Sequence, residues 1–340
     1  MNKKRLHKKL VGLIMGLSLA TLFSGCGKSS KKAGEDITSS DYTVRIGYAK
    51  GLCHAPIHIA YENGFFKEQG INVEILPVGS AVMADSLASG KIDAGFGLVG
   101  KFIQPLENGL NLKITSGIHT GCMKLVVPQD SPIQQVSDLK GKKIGVVSLA
   151  DSPCITTKRS LADAGVSVTA DNMEVEFVIY SASDLPVALQ NGAIDAYADA
   201  DPSVSIAQKE NNLRAIIDTA SDEKYKDEYC CISFVSTELA NKNPELAKKF
   251  TRAVQDAALW VEEHPEETAK IQIDKEYVAG DLDFNTELLK SYQFIPSAKG
   301  GYEALQLTVA DLQKIGLIKE TTDVTKLVED SYVSLEDVIE

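Results

Sequence analysis

The sequence predicts an α/β fold built as two similar lobes, with two hinge strands between them and a ligand cleft where the lobes meet. From Thr43 onwards, short runs rich in β-branched residues alternate with longer runs of helical period. A ten-residue pattern also recurs once, 102 residues further along the chain. Alternating strands and helices indicate layered, mostly parallel sheets. A pattern repeated at that distance indicates two lobes of like fold.

The individual elements follow from hydrophobic periodicity and from the turn residues that bound each run. Strands are predicted, in chain order, at residues 44–48, 72–76, 94–97 and 143–147, and helices at residues 56–63, 83–88 and 244–263. The last helix keeps its apolar residues at helical spacing, which predicts that one face covers the first lobe.

The repeated pattern is the junction between a helix and the strand that follows it. Residues 87–96 are LASGKIDAGF and residues 189–198 are LQNGAIDAYA. In both copies the helix ends at a glycine, Gly90 or Gly192, which can adopt the left-handed conformation of a helix C-cap. The turn alone is common, but its recurrence at the equivalent place of two halves favours two like-folded lobes.

Two segments are predicted to cross between the lobes, at residues 124–127 before Pro128 and at residues 230–235. The first lobe is therefore expected to comprise residues 42–127 and 236–340. The second lobe is expected to comprise residues 128–235, including the second hinge strand. About 300 residues are enough for two lobes of ordinary size.

The N-terminus has the layout of a secretory signal. Five basic residues precede an apolar run of 14 residues from Leu10 to Phe23. A spanning helix needs about 20 apolar residues, so residues 1–25 are expected to be a signal peptide. Residues 22–26, LFSGC, resemble a bacterial lipobox, which predicts lipidation of Cys26 and a flexible tether over residues 26–41. The alternative is an ordinary signal peptide with a chance Cys.

The charge of the chain argues against some partners. The whole sequence has a net charge of −12, and loss of the signal leaves 30 Lys and Arg against 47 Asp and Glu, or −17. An acidic surface of this kind repels nucleic acid and anionic lipid head groups. Nucleic acid is therefore not expected as a partner.

Several segments together resemble the binding components of the ABC importers for nitrate, sulfonates, taurine and thiamine precursors. The segments are AYENGFF at 60–66 with GINV at 70–73, GKIDA at 90–94, DLKGKKIGV at 138–146, and VSTELA at 235–240 before NPEL at 243–246. Their order and spacing cover residues 42–263. The remainder of the chain matches only in general character.

The resemblance implies a type II periplasmic-binding-protein fold whose lobes close on a small-molecule ligand in the cleft. It also implies a monomer without a cofactor, which delivers its ligand to the permease and ATPase subunits of an importer. With the lipid anchor, the protein is expected on the extracytoplasmic face of the cell membrane. No catalytic residues are predicted.

Ligands of open α/β sheets bind beyond the carboxyl ends of the strands, so the loops after the strands supply candidate contacts. The candidates are Cys53, His54, Ser80, Gly97, His119, Cys122, Ser148, Asp151, Ser152, Asp199 and Asp201. For Cys53 and His54, packing in the core is an equal alternative. Ser80 can equally serve as a helix N-cap, and Ser152 is expected at the N-cap of the next helix.

The charges of these candidates favour one class of ligand. Asp151, Asp199 and Asp201 would repel an anion, and no Arg lies in the predicted cleft loops. A neutral or amine-bearing organic ligand is therefore favoured over nitrate or a sulfonate, with a thiamine-precursor pyrimidine also possible. The alternative for Asp199 and Asp201 is that they are solvated loop carboxylates.

Cysteine and histidine residues are expected to converge near the mouth of the cleft, where soft donors of this kind can hold a metal. They are Cys53, His54, His119, Cys122, Cys154, Cys230 and Cys231. No pair has the spacing of a dedicated metal motif, and adjacent residues of a strand point to opposite faces, so at most one of Cys230 and Cys231 would face the cleft. No metal is therefore predicted. If the other cysteines pair, at least one thiol stays free.

Two other functions compete with import. Enzymes that make the thiamine pyrimidine share the fold and carry a dense run of cysteines for iron. Cys230-Cys231 resembles that run but lacks its other cysteines, and those enzymes are not exported. A lipoprotein that senses its ligand and signals to a partner would have the same sequence features.

Overall fold

The computed structural model describes residues 36–340. The predicted signal peptide, Cys26 and most of the predicted tether lie outside the described residues. Within residues 36–340, no helix combines the length and the apolar character needed to cross a bilayer.

The first lobe is built on a five-stranded sheet. Its strands are, in spatial order, β2 (Asn72–Pro77), β1 (Thr43–Tyr48), β3 (Ala94–Leu98), β12 (Tyr229–Ser236) and β4 (Leu112–Thr120). β1 runs parallel to β2 and β3, whereas β12 is antiparallel to β3 and β4. Most apolar residues of β1, β3, β4 and β12 are buried, whereas those of β2 are half-buried, so helices cover both faces of most of the sheet.

The helices of the first lobe come from both ends of the chain. They are α1 (Ala55–Glu62), α2 (Phe65–Glu68), α3 (Met83–Ala88), α4 (Gly100–Glu107), α8 (Thr237–Lys242), α9 (Pro244–Glu263), α10 (Pro265–Asp274), α11 (Leu282–Ser291), α12 (Ala298–Lys314) and α13 (Val324–Ser331). Asn243 caps α9 through the Leu246 amide, and Pro244 is its first residue. The apolar face of α9 is buried as its spacing predicted, with Phe250, Val254 and Val261 at 0% exposure.

The second lobe is built on a second five-stranded sheet. Its strands are, in spatial order, β11 (Leu213–Asp218), β5 (Met123–Pro128), β10 (Ala196–Ala200), β6 (Lys143–Val146) and β9 (Glu176–Ile179). The remaining elements are α5 (Ser152–Asp163), α6 (Leu185–Gln190), α7 (Ser203–Glu210) and a two-stranded ribbon of β7 (Val168–Thr169) and β8 (Asn172–Met173). A 3-10 helix, Val136–Leu139, precedes β6.

The two sheets have the same topology, which confirms the predicted two-lobed α/β fold. In each sheet three parallel strands are followed by an antiparallel strand and an edge strand. The repeated sequence occupies equivalent places: Asp93 accepts a hydrogen bond from the Arg45 amide at 2.9 Å, and Asp195 accepts one from the Lys143 amide at 2.8 Å. The repeated Asp therefore ties the start of one strand to its neighbour in both lobes.

The sheets correct the predicted positions of the crossings. β5 pairs with β10 and β11, so residues 123–127 belong to the second lobe instead of the first. β12 pairs with β3 and β4, so residues 230–235 belong to the first lobe instead of the second. The chain leaves the first sheet at Gly121 and Cys122, and it returns through residues 219–228. The prediction was wrong here because both strands are buried apolar runs whose sheet membership depends on long-range pairing.

Candidate functional site

The two lobes touch where α4 of the first lobe meets α5 of the second. Gly100 begins α4, and a Cβ atom at this position would lie 2.8 Å from Ser152 Oγ and 2.9 Å from Ile155 Cδ1. Cβ atoms essentially never make contacts that short, so a larger residue at position 100 would displace the side chains of Ser152 and Ile155. The loops after β3 and β6 therefore face each other across the gap between the lobes.

A cavity of about 230 Å³ lies between the lobes beside this contact. Val99, Gly100 and Cys230 contribute from the first lobe, and Ser152 and Ile155 contribute from the second. The Ser152 hydroxyl is buried without a hydrogen-bond partner. A buried hydroxyl of this kind is available to a ligand.

Asp151 is the N-cap of α5, which corrects the prediction that Ser152 holds this position. The carboxylate of Asp151 accepts hydrogen bonds from the Cys154 amide at 3.0 Å and from the Ser148 amide at 3.1 Å. A carboxylate that accepts two amides outcompetes the hydroxyl that follows it in the chain. Ser148 itself is exposed. The carboxylate of Asp151 is therefore engaged by its own helix, whereas Ser152 faces the gap.

Two further carboxyl groups are buried at the end of β10. Burial, together with the charges of Asp151 and Asp201, raises the pKa of Asp199 to about 7, although a hydrogen bond from the Ala200 amide opposes this rise. Burial also raises the pKa of Asp201 to about 6. One oxygen of Asp201, Oδ1, has no hydrogen-bond partner. These groups are not solvated loop carboxylates, since their exposed fractions are only 8% and 6%.

Lys101 is a site residue that the sequence argument missed. It is half-buried in the first turn of α4, and its charge acts on His54 and on the second-lobe carboxyls of Asp151 and Asp199. The sequence prediction considered only the loops that follow the strands, and the loop after β3 ends at Gly100, one residue before Lys101. A search that included the first helical turn would have found it.

The remaining first-lobe candidates are less involved in the gap. Ser80 is exposed in the 3-10 helix Ser80–Val82, whose N-cap is Gly79. Gly97 lies within β3 and packs against the ring of Phe102. His54 is 4% exposed, and its Nδ1 lies 3.4 Å from the Ala49 amide, so it has a backbone partner. Its burial lowers its pKa.

Four donors of soft metals meet at the base of the gap. One donor atom from each of His119, Cys122, Cys230 and Cys231 lies within 4.8 Å of the other three, and all four residues are buried. Cys122 Sγ and Cys230 Sγ are 3.2 Å apart, and Cys230 Sγ is 3.6 Å from His119 Nδ1. Cys53 is a further neighbour that interacts with Cys122, Cys231 and His119. We call His119, Cys122, Cys230, Cys231 and Cys53 the thiol cluster.

The thiol cluster contains both adjacent cysteines, and of the two only Cys230 lines the cavity between the lobes. The pairing of β12 with β4 shifts register on both sides of Cys231. A β-bulge at this point breaks the alternation of side chains along the strand. Cys154 does not join the cluster, because it is packed in the core of the second lobe beside Leu161 and Val146. The five cysteines of the described residues are all free thiols.

Comparison with known proteins places the chain in a family. The sequence profile described as NMT1/THI5 like matches residues 52–268, and the chain belongs to this family. The class of binding proteins that the sequence resembled is thereby confirmed.

Relatives of this family carry two kinds of name. A Bacillus subtilis protein named as an aliphatic sulfonates-binding protein is 26% identical over 95% of both chains. An Aspergillus parasiticus 4-amino-5-hydroxymethyl-2-methylpyrimidine phosphate synthase is 26% identical over 67% of this chain and 68% of its own. The periplasmic aliphatic sulphonate binding protein of Escherichia coli superposes with a TM-score of 0.71 at 18% identity, covering 88% of this chain and 94% of its own. The superposition confirms the periplasmic-binding-protein fold.

We expect the contact at Gly100 to be needed for full closure of the lobes. In Gly100→Leu the new side chain would occupy the space of Ser152 and Ile155, so the affinity for a ligand held between the lobes should fall at least tenfold. Isothermal titration calorimetry measures this change, with Gly97→Ala as the control because its Cβ would meet only the ring of Phe102 within the first lobe, at 3.3 Å. Unchanged affinity in Gly100→Leu would show that the ligand does not require this contact.

Proposed function

We propose that the protein is the extracytoplasmic, lipid-anchored binding component of an ABC importer. Its lobes would close on a small organic molecule and present it to the permease, with the ATPase subunit driving transport. The observation that carries this proposal is the arrangement of two lobes of equal topology whose strand-end loops face one another across a polar gap. A second supporting observation is that the chain belongs to a family with members named as binding proteins.

The ligand is a neutral or amine-bearing organic molecule. Asp151 and Asp199 are buried carboxyls of the second lobe, and the charge of Lys101, which comes from the opposite lobe, acts on both. Buried carboxylates are unfavourable unless a cation or hydrogen-bond donors accompany them. An amine supplies both a charge and donors, whereas a sulfonate or nitrate would meet the carboxylates with like charge.

The thermal stability of the purified protein with a panel of solutes tests the proposal. The panel comprises an aliphatic diamine, a quaternary ammonium compound, an aminopyrimidine, methanesulfonate and nitrate. A ligand at 100 times its Kd stabilises the folded state by about 2.7 kcal/mol, which is a shift of several degrees. We expect the shift from an amine or a neutral analogue. Shifts from methanesulfonate or nitrate alone would overturn the ligand class.

The competing candidate is an enzyme, because relatives of this family are named as pyrimidine phosphate synthases. A binding protein returns its ligand unchanged, so mass spectrometry of each stabilising solute after incubation separates the two. Recovery of the intact solute supports binding, and a stoichiometric or catalytic product supports the enzyme. Loss of uptake of the solute in cells that lack the gene separates import from sensing.

The lipid anchor is tested at Cys26. Wild-type protein in cells grown with labelled palmitate should carry the label and sediment with membranes. Cys26→Ser should carry no label and appear in the soluble exported fraction, because the thioether bond that holds the lipid cannot form. Cys53→Ser is the matched control and should remain labelled. Equal labelling of Cys26→Ser would contradict the anchor.

A further inference from the structure

We propose that His119, Cys122, Cys230 and Cys231 bind one soft, thiophilic metal ion of the zinc class, with the thiol of Cys53 beside it. The site joins the two chain crossings between the lobes. It lies beside the place proposed above for the organic solute, between α4, α5 and the end of β10, and of the four residues only Cys230 also lines the cavity between the lobes.

The spacing of the donors fits one ion. A tetrahedral zinc ion binds sulfur at about 2.3 Å and nitrogen at about 2.0 Å, so its donors lie about 3.5–3.8 Å from one another. One donor atom from each of the four residues lies within 4.8 Å of the other three, and Cys122 Sγ and Cys230 Sγ are 3.2 Å apart. Small changes of side-chain torsion therefore bring all four onto one ion.

The imidazole is held as in a metal-binding histidine. His119 Nδ1 lies 3.1 Å from the carbonyl oxygen of Thr120, to which its N–H can donate. Nε2 then carries the lone pair, and it is buried without a hydrogen-bond partner while the residue is 0% exposed. In metal-binding histidines, likewise, one ring nitrogen binds the metal and the other donates a hydrogen bond to a carbonyl or carboxylate. This orphaned nitrogen is evidence for a ligand separate from the grouping of the thiols.

The surroundings exclude water. The ring of His119 lies between Phe96, Tyr292 and Phe294, with ring centroids 5.9, 5.7 and 5.0 Å away. An apolar shell of this kind strengthens the attraction between thiolates and a cation. Hard cations such as Mg²⁺ prefer oxygen donors and retained waters, so the sulfur-rich set selects against them.

The cluster spans the hinge. His119 and Cys122 lie where the chain leaves β4 for the second lobe, and Cys230 and Cys231 lie where it returns in β12. Cys53 belongs to the 3-10 helix Leu52–His54 ahead of α1. A metal at this point would link both crossings to each other and to the first lobe.

A disulfide is the main competing state of these thiols. Cys122 Sγ and Cys230 Sγ are 3.2 Å apart, whereas a disulfide bond measures about 2.05 Å. The two states exclude each other, because a metal binds both sulfurs as thiolates, whereas a disulfide bond removes both thiolates. Metal content and thiol titration therefore distinguish them.

The experiment measures metal on the purified protein. We prepare the protein anaerobically with reductant, determine zinc per chain by inductively coupled plasma mass spectrometry, and titrate the metal-free protein with Co²⁺. The expected results are about one ion per chain and a thiolate-to-cobalt charge-transfer band with the intense visible absorption of tetrahedral Co²⁺. Absence of both in the wild-type protein would overturn the proposal, as would a Cys122–Cys230 disulfide that forms under these conditions.

Two variants assign the ion to the site. Cys122→Ser with Cys230→Ser should lose the charge-transfer band and weaken Co²⁺ binding at least tenfold. Cys154→Ser removes an equally buried thiol from the core of the second lobe and should bind like the wild type. Binding by the double variant at wild-type strength would overturn the proposal.

A chelator competition on the wild-type protein needs no substitution, and it gives the affinity even where the double variant fails to fold. To keep the two proposals distinguishable, the thermal-shift panel is repeated with the metal-free protein, so that failure of the metal experiment leaves the solute proposal intact. Binding of a solute to the metal-free protein would support the solute proposal by itself. Binding of a metal in the absence of solute would support the metal site by itself.

Discussion

Replacing Arg159 with Met is expected to lower the free energy of unfolding by about 3–5 kcal/mol, because it leaves two carboxylates without their cation at the junction of the lobes. Arg159 of α5 donates to both oxygens of Glu228, at 2.8 Å and 3.0 Å, and its Nε pairs with Asp311 of α12. Only 12% of its side chain is exposed. Burial already raises the pKa of Asp311, so this carboxylate depends on the guanidinium for its charge.

Urea denaturation measures this loss, and Lys314→Met is the matched control. Lys314 also joins α12 to α5, through Asp163, but its side chain is 63% exposed. Exposed pairs contribute about 0–1 kcal/mol, so the control should change stability by no more than that. A loss below about 1 kcal/mol in Arg159→Met would show that the three charges do not act as a buried network.

Asp199→Asn is expected to change how stability depends on pH. The folded protein holds the pKa of Asp199 at about 7, above its ordinary value of 3.8, because the carboxyl is buried beside Asp151 and Asp201 with Lys101 opposing. The folded state therefore binds a proton more tightly than the unfolded state. The stabilising contribution of the neutral carboxyl is complete below about pH 4 and is lost as the pH rises to about 7.

The size of this effect is on the order of 4 kcal/mol, from about three pKa units at 1.36 kcal/mol each. Asn cannot ionise, so Asp199→Asn should match the wild type at pH 4 and exceed its stability at pH 8. Chemical denaturation at both pH values measures the difference, and Asp283→Asn, an exposed carboxylate of α11, is the control. A parallel pH profile for Asp199→Asn and the wild type would contradict the assignment.

The parts of the fold that depend on local pattern were predictable. The bounds of α3 and α9 are as predicted, since each has clear periodicity and α9 also has a cap of Asn and Pro. The repeat identified two lobes because the Asp of each copy makes the same strand-to-strand hydrogen bond. These features are set by residues close together in the sequence.

The features that depend on long-range pairing were not predictable. The crossings were misplaced because β5 and β12 look alike as apolar runs, and the sheet that each joins is decided by partners far along the chain. The cysteines were expected near each other, but the bulge that turns Cys230 and Cys231 to the same side lies in the register with β4. The N-cap at Asp151 was missed because its carboxylate also accepts a hydrogen bond from the Ser148 amide, and this second bond favours Asp151 over Ser152.

The central claim is tested most directly by calorimetric titration of the purified protein at pH 8. One titrant is an amine-bearing solute that raises the thermal stability of the protein, and the other is methanesulfonate. At this pH the carboxyl of Asp199 can ionise, so a cation should bind at one site per chain, while methanesulfonate should give no heat of binding. Tight one-site binding of methanesulfonate, with no binding of amines or neutral solutes, would contradict the account of the gap between the lobes.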